Sequence, residues 1–180
     1  DSASSSIYVE VFYMYPTWNN YPGGANNNPF MRALMNAAIR GVDVKVILDS
    51  TYYVIEGDNN NDEAKAILET AGVEVKYANN TGGIEKFHVK AMIVDEESVM
   101  ISSLNWNENS ALNNREIGLI VTSQEVAQYY VDLFAFDWDL KSANVIVTDE
   151  GDEDDGQTDN GQDWGIFGGL QTSQIGRAHV

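Results

Sequence analysis

His88, Lys90, Ser103, Asn105 and Glu116 are the residues of this 180-residue chain whose types and spacing could do chemistry together. His88 and Lys90 stand as H-x-K, Asp95 follows after four more residues, Ser103 and Asn105 form S-x-N, and Glu116 closes the set. A neutral imidazole is a competent nucleophile toward phosphorus near neutral pH, because its reference pKa is about 6.5. It needs a carboxylate on its other ring nitrogen to fix the tautomer and stabilise the cation that forms, and Glu116 is the candidate. Lys90 supplies a compact positive charge, and Ser103 and Asn105 supply neutral donors, for the oxygens of a pentavalent phosphoryl transition state. The set reads as a phosphodiester-cleaving site, with Asp95 in support.

A hairpin would bring these residues together. His88 to Val94 is apolar and β-branched enough to be a strand, in which residues two apart share a face. His88 and Lys90 then project side by side, while Val89, Ala91 and Ile93 point into a core. Asp95 to Ser98 is a turn, so Asp95 sits away from the chemistry, and Val99 to Ser103 returns as the second strand. Ser103 and Asn105 thereby come back beside His88.

This stretch resembles the histidine-lysine-aspartate motif of the phospholipase D superfamily, H-x-K-x4-D-x6-G-S-x-N with a downstream N-x-E-x-G-like segment. His88, Lys90, Asp95, Ser103, Asn105 and Glu116 fall on its positions one by one, and Asn114 to Gly118 matches the closing segment. The glycine before the serine is Ser102 here. The resemblance implies an α/β fold with a mixed β-sheet flanked by helices. It also implies a phosphohistidine intermediate, no metal and no other cofactor, and a second histidine from a second motif copy as general acid. That copy would come from a homodimer, or from a part of the protein missing from this chain.

The remaining elements fit such a domain over residues 5 to 147. Ile7 to Tyr15 reads as an aromatic strand, and Pro16 to Asn28 as a loop with Trp18 and Tyr21 exposed or half buried. A helix starts at Asn28-Pro29 and stops near Gly41, followed by a strand over Val42 to Asp49. A second helix runs from Asp62 to Ala71, a strand from Val73 to Tyr77, and a strand bearing Glu116 from Arg115 to Val121. A last helix spans Gln124 to Lys141, with Val126, Tyr130, Leu133 and Phe134 as its buried stripe. The chain reads as a truncated fragment, whose lost earlier strand would leave an unpaired sheet edge.

Composition limits the function classes. There is no cysteine and there are only two histidines, so neither disulfides nor a thiolate or histidine-rich metal centre is expected. Residues 148 to 163 form an acidic, solvated linker, and Trp164 to Leu170 turns apolar like the beginning of a lost membrane anchor, although it is too short to span a bilayer. Ile175 to Val180 reads like a translated sequencing adapter and is set aside. Net charge is −18, and residues 1 to 148 still carry twenty acids against nine bases. Such a surface opposes general nucleic-acid binding and suits a secreted or cell-surface setting. The expected function is metal-independent hydrolysis or transfer of a phospholipid head group. An endonuclease of the same mechanism, and a non-catalytic half domain used for pairing or anion binding, are the alternatives.

Overall fold

The short β-branched runs become strands in the computed structural model, which describes residues 2–51, 59–79 and 86–144. These strands are β1 Ser6–Val11, β2 Asp43–Leu48, β3 Glu74–Ala78, β4 Lys90–Val94, β5 Ser98–Ser102, β6 Gly118–Thr122 and a two-residue β7, Ser142–Ala143. They form one sheet in the order β6-β5-β4-β1-β2-β3-β7. β1, β2 and β3 are parallel, whereas β4, β5 and β6 alternate in direction. The sheet is therefore mixed, as expected. β1 does not lie at an edge but is paired on both sides, and the long open edge is β6.

Helices α1 (Pro29–Ile39), α2 (Asn60–Thr70) and α3 (Gln124–Leu140) cover both faces. Asn28 caps α1 by accepting from the amides of Phe30 and Met31, with Pro29 in the first turn. Gly41 and Gly72 end α1 and α2 at φ of 91° and 86°, a left-handed conformation that other residues adopt at a cost. Met31, Leu34, Ala37, Ala64 and Leu68 pack on Val9, Val11, Val44, Val46 and Leu48. On the other face Ala127 and Phe134 of α3 meet Ile47, Ile93 and Val99. Because both faces are covered, the central strands read as continuous apolar runs. Glu10, buried in β1 beneath α3, is pushed up to about 8 by burial and by Asp137, which leaves it neutral at ordinary pH.

Several boundaries differ from expectation. β1 ends at Val11 and not at Tyr15, and beyond it Met14 makes a single parallel bridge to Trp106. β4 begins at Lys90 and β6 at Gly118, so His88 and Glu116 lie just outside their strands. Trp18, expected to be exposed or half buried, is 2% exposed. The reason is Asn27, whose side chain accepts from the Trp18 amide and donates to the Trp18 and Tyr21 carbonyls, folding the loop over Phe30. The compact unit runs Asp1–Thr148. The acidic linker 148–163, the apolar stretch 164–170 and the adapter-like end 175–180 lie outside the described residues, as do 52–58 and 80–85.

Two polar side chains tie distant parts of this unit together. Asn61, in the first turn of α2, donates to the Phe12 and Asp49 carbonyls at 3.0 and 2.9 Å and accepts from the Met14 amide at 2.8 Å. It locks the exits of β1 and β2 to each other. Asp95 accepts from the amides of Ser4, Ser5 and Ser6 and from the hydroxyls of Ser4 and Ser5, anchoring the segment that leads into β1. Partial burial works against its charge, but the Ser5, Ser6 and Ser4 bonds outweigh burial and hold the carboxyl well below the usual range.

Asn61→Ala is expected to cost about 2–4 kcal/mol in urea unfolding, because three buried backbone groups lose their partner. The Asp95 anchor should contribute fully above the unfolded aspartate pKa of about 3.9 and fade as pH falls below it. Asp95→Asn should therefore lower the melting temperature at pH 7, and the difference from the unsubstituted protein should shrink steadily as pH falls below about 3.9.

Candidate active site

The site is assembled by strand direction. Val11 pairs with Lys90 and Ser102 pairs with Gly118, so β1, β2 and β5 leave the sheet at the edge where β4 and β6 enter it. This is the carboxyl end of the parallel strands, where open α/β sheets gather ligand-binding loops. His88, Lys90, Ser103, Asn105 and Glu116 all lie at this edge. Asp95, at the far end of β4, stands roughly 15 Å away by strand rise and belongs to the N-terminal anchor. A direct catalytic role for Asp95 is not compatible with that placement.

Lys90 and His88 do not project as equals. Lys90 opens β4, is only 6% exposed, and donates to the His88 carbonyl at 2.9 Å. His88 is exposed and outside the strand, and its imidazole tilts against the Phe12 ring with centroids 4.7 Å apart. The Lys90 ammonium lies 5.1 Å from the same ring centroid, so one aromatic supports both groups. Burial lowers the Lys90 pKa to about 8 against the pull of Glu116 and Asp49. Desolvation, with Lys90 and Lys86 adding repulsion, also lowers His88, opposed by Asp49. The His88 shift favours a neutral imidazole, and Lys90, although lowered, still carries its charge at neutral pH.

Glu116 is occupied otherwise than expected. Its Oε2 accepts from the Ser103 hydroxyl at 2.5 Å and its Oε1 from the Asn114 amide at 3.1 Å. The Ser103 and Asn114 bonds hold the carboxyl below its ordinary range. Among the described residues no hydrogen bond joins Glu116 to His88, since Ser103 and Asn114 take its two oxygens. Ser103 Oγ in turn accepts from the Ile117 amide at 3.0 Å, which locks β5 to the residue entering β6. Ser102 fills the glycine position, and its hydroxyl accepts from the Leu104 amide at 3.2 Å, tightening the turn that carries Ser103 and Asn105. The Asn105 carbonyl oxygen is buried with no hydrogen-bond partner, so the fold alone does not satisfy this side chain.

Two residues escaped the sequence reading. Phe12 follows β1 by one position, and its contact with His88 and Lys90 becomes visible only once β1 is known to pair with β4. Asp49 reads as a strand end, yet it is wholly buried and accepts from the Phe87 amide at 2.7 Å. Among the described residues no three histidine, cysteine, aspartate or glutamate side chains converge as a metal ion would need.

Known proteins resemble this chain in sequence and fold. The family described as cardiolipin synthase, PLD-like domain, matches residues 1–138. The mitochondrial cardiolipin hydrolase of Canis lupus familiaris is 32% identical over 108 residues, which are 60% of this chain and 39% of that protein. A phospholipase D of Rickettsia conorii is 27% identical over 131 residues, 73% of this chain and 56% of that protein. The chain thus covers between 39% and 56% of the length of these relatives. Among solved structures, Nuc of Salmonella typhimurium, a phospholipase D family member, aligns with a TM-score of 0.66 at 21% identity, covering 82% of this chain and 86% of that one. NucT of Helicobacter pylori aligns with a TM-score of 0.62 at 20% identity, covering 80% and 84%. With its sheet, its motif residues at one sheet edge and a family match over most of its length, the chain belongs to the phospholipase D superfamily.

Proposed function

We propose that this chain carries a phospholipase D-type site that cleaves or transfers a phospholipid phosphodiester through a phosphohistidine. The observation that supports this most is the meeting of His88, Lys90, Ser103, Asn105 and Glu116 at one edge, with Lys90 desolvated beside His88. The imidazole nitrogen of His88 attacks phosphorus, the bond to the leaving alcohol oxygen breaks, and that oxygen takes a proton from a second histidine. The second histidine, now neutral, then removes a proton from water. The water oxygen attacks phosphorus, the phosphorus–nitrogen bond breaks, and His88 is restored. An alcohol in place of water gives transfer. Lys90 and the Ser103–Asn105 turn hold the non-bridging oxygens throughout.

The second histidine belongs to a second copy of this chain or to a second motif. A second copy is supported by the open edge of β6, where Ile117, Leu119 and Ile120 are 79%, 60% and 70% exposed. A phospholipid is favoured over nucleic acid by charge, because nucleic-acid affinity rests on cationic contacts and residues 1 to 148 carry twenty acids against nine bases. The names of the relatives in sequence, a cardiolipin hydrolase and a phospholipase D, point the same way.

Head-group release from phospholipid vesicles is expected, with plasmid nicking absent or far slower. Nicking without lipid turnover would replace the lipid reading by the nuclease one, and phosphate binding with neither activity would favour a non-catalytic half. His88→Ala should lower turnover by at least about 10³-fold in a folded protein. The pH profile should rise with an acid limb below about 6.5, where His88 loses its proton. It should fall at higher pH as the second histidine loses the proton that the leaving oxygen takes, and further above about 8, where Lys90 loses its own. Ile120→Lys should shift the sedimenting species from dimer to monomer and remove activity; an active monomer would contradict the two-copy reading.

A further inference from the structure

Sequence reasoning gave Glu116 the task of orienting His88; within one chain Glu116 is bonded to Ser103 and Asn114, and a different carboxylate reaches the main chain beside the imidazole. Asp49 follows β2 directly and has no exposed surface. Its Oδ1 accepts from the Thr51 amide at 2.7 Å, and its Oδ2 accepts from the Phe87 amide at 2.7 Å and from the Thr51 hydroxyl at 3.3 Å. Phe87 immediately precedes His88. The bond therefore reaches over the exit of β1, two strands across the sheet, to the main chain that carries the imidazole. Asn61 holds the Asp49 carbonyl from the other side, so the carboxylate rests on a fixed support.

We propose that Asp49 is a positioning residue of this site: its buried carboxylate pins the main chain carrying His88 and sets a negative charge beside the His88–Lys90 pair. This rests on His88 being the nucleophile. An amide side chain could accept the same Phe87 hydrogen bond, and it would bury no charge. A carboxylate is costly to bury, and two cations that feel its charge offset part of that cost. Those cations are Lys90, from the start of β4, and the imidazolium that His88 becomes when it is protonated. The other charges acting on His88 and Lys90 are Lys86, which repels the imidazolium, and Glu116, which attracts the ammonium from the β6 side. Removing the Asp49 charge leaves the attraction of Glu116 for Lys90 and the repulsion between the two cations.

The test compares Asp49→Asn with Glu116→Gln in the full chain by NMR titration of the His88 imidazole, assigned by its loss in His88→Gln. Asp49→Asn should move the His88 midpoint down by about half a pH unit or more, and Glu116→Gln should move it less. Turnover of a chromogenic phosphodiester by Asp49→Asn should fall about tenfold in kcat with KM within threefold, and its alkaline limb should move to lower pH. An unmoved His88 midpoint in folded Asp49→Asn overturns the proposal. If that variant does not fold, the decision passes to the unsubstituted protein. There the Phe87 amide should resist hydrogen exchange although it lies outside any strand, and exchange at an open-loop rate overturns the proposal. The titration needs no turnover, so full activity of His88→Ala would sink the mechanism without touching this result.

Discussion

The pairing of Val11 with Lys90 is the constraint on which the site depends. β4 runs against β1, and this one register brings the start of the catalytic hairpin to the edge where the parallel strands end. A slip of one residue would turn Lys90 toward α3 and move Ile93 off the face it fills with Ile47 and Val99. The core therefore specifies the register, and the register specifies the chemistry. Asn61 and Asp49 add to it where strand pairing stops, since each bridges segments that have left the sheet.

Burial of Lys90 is the electrostatic counterpart of that geometry. An ammonium with 6% exposure is held against a desolvation penalty by the Glu116 and Asp49 charges, the His88 carbonyl and the face of Phe12. The compromise leaves a cation that is charged at neutral pH but close to losing its proton. The lowered His88 pKa likewise favours the neutral imidazole that the proposed nucleophile requires. Little of Lys90 is open to screening by solvent, so a phosphate bound there would feel a stronger field than a surface lysine provides.

Much of this could be read from the residues. The α/β class, six of the seven described strands and the three long described helices follow from apolar periodicity and caps. What could not be read depends on neighbours distant in sequence. Period two placed His88 and Lys90 on one face, but β4 starts only at Lys90, and the sheet is covered on both sides, so a single core face was the wrong premise. Glu116 has the type and the location to orient His88, yet Ser103 and Asn114 are closer competitors for its oxygens. Asp49 and Asn61 carry no local signal, because an Asp after a strand and an Asn in the first turn of a helix are ordinary boundary residues. Trp18 was misplaced for the same reason: the loop around it is polar in composition, but Asn27 satisfies its backbone internally and lets the indole be buried.

The most direct test of the account is to trap the covalent intermediate. A chromogenic phosphodiester would be mixed with the protein, quenched in alkaline denaturant during the first turnover and digested for mass spectrometry. The account predicts one phosphoryl adduct on the imidazole of His88, formed with the burst of released alcohol and missing in His88→Ala. Release of the alcohol in a burst with the adduct on another residue, or steady turnover by the His88→Ala protein, would contradict it.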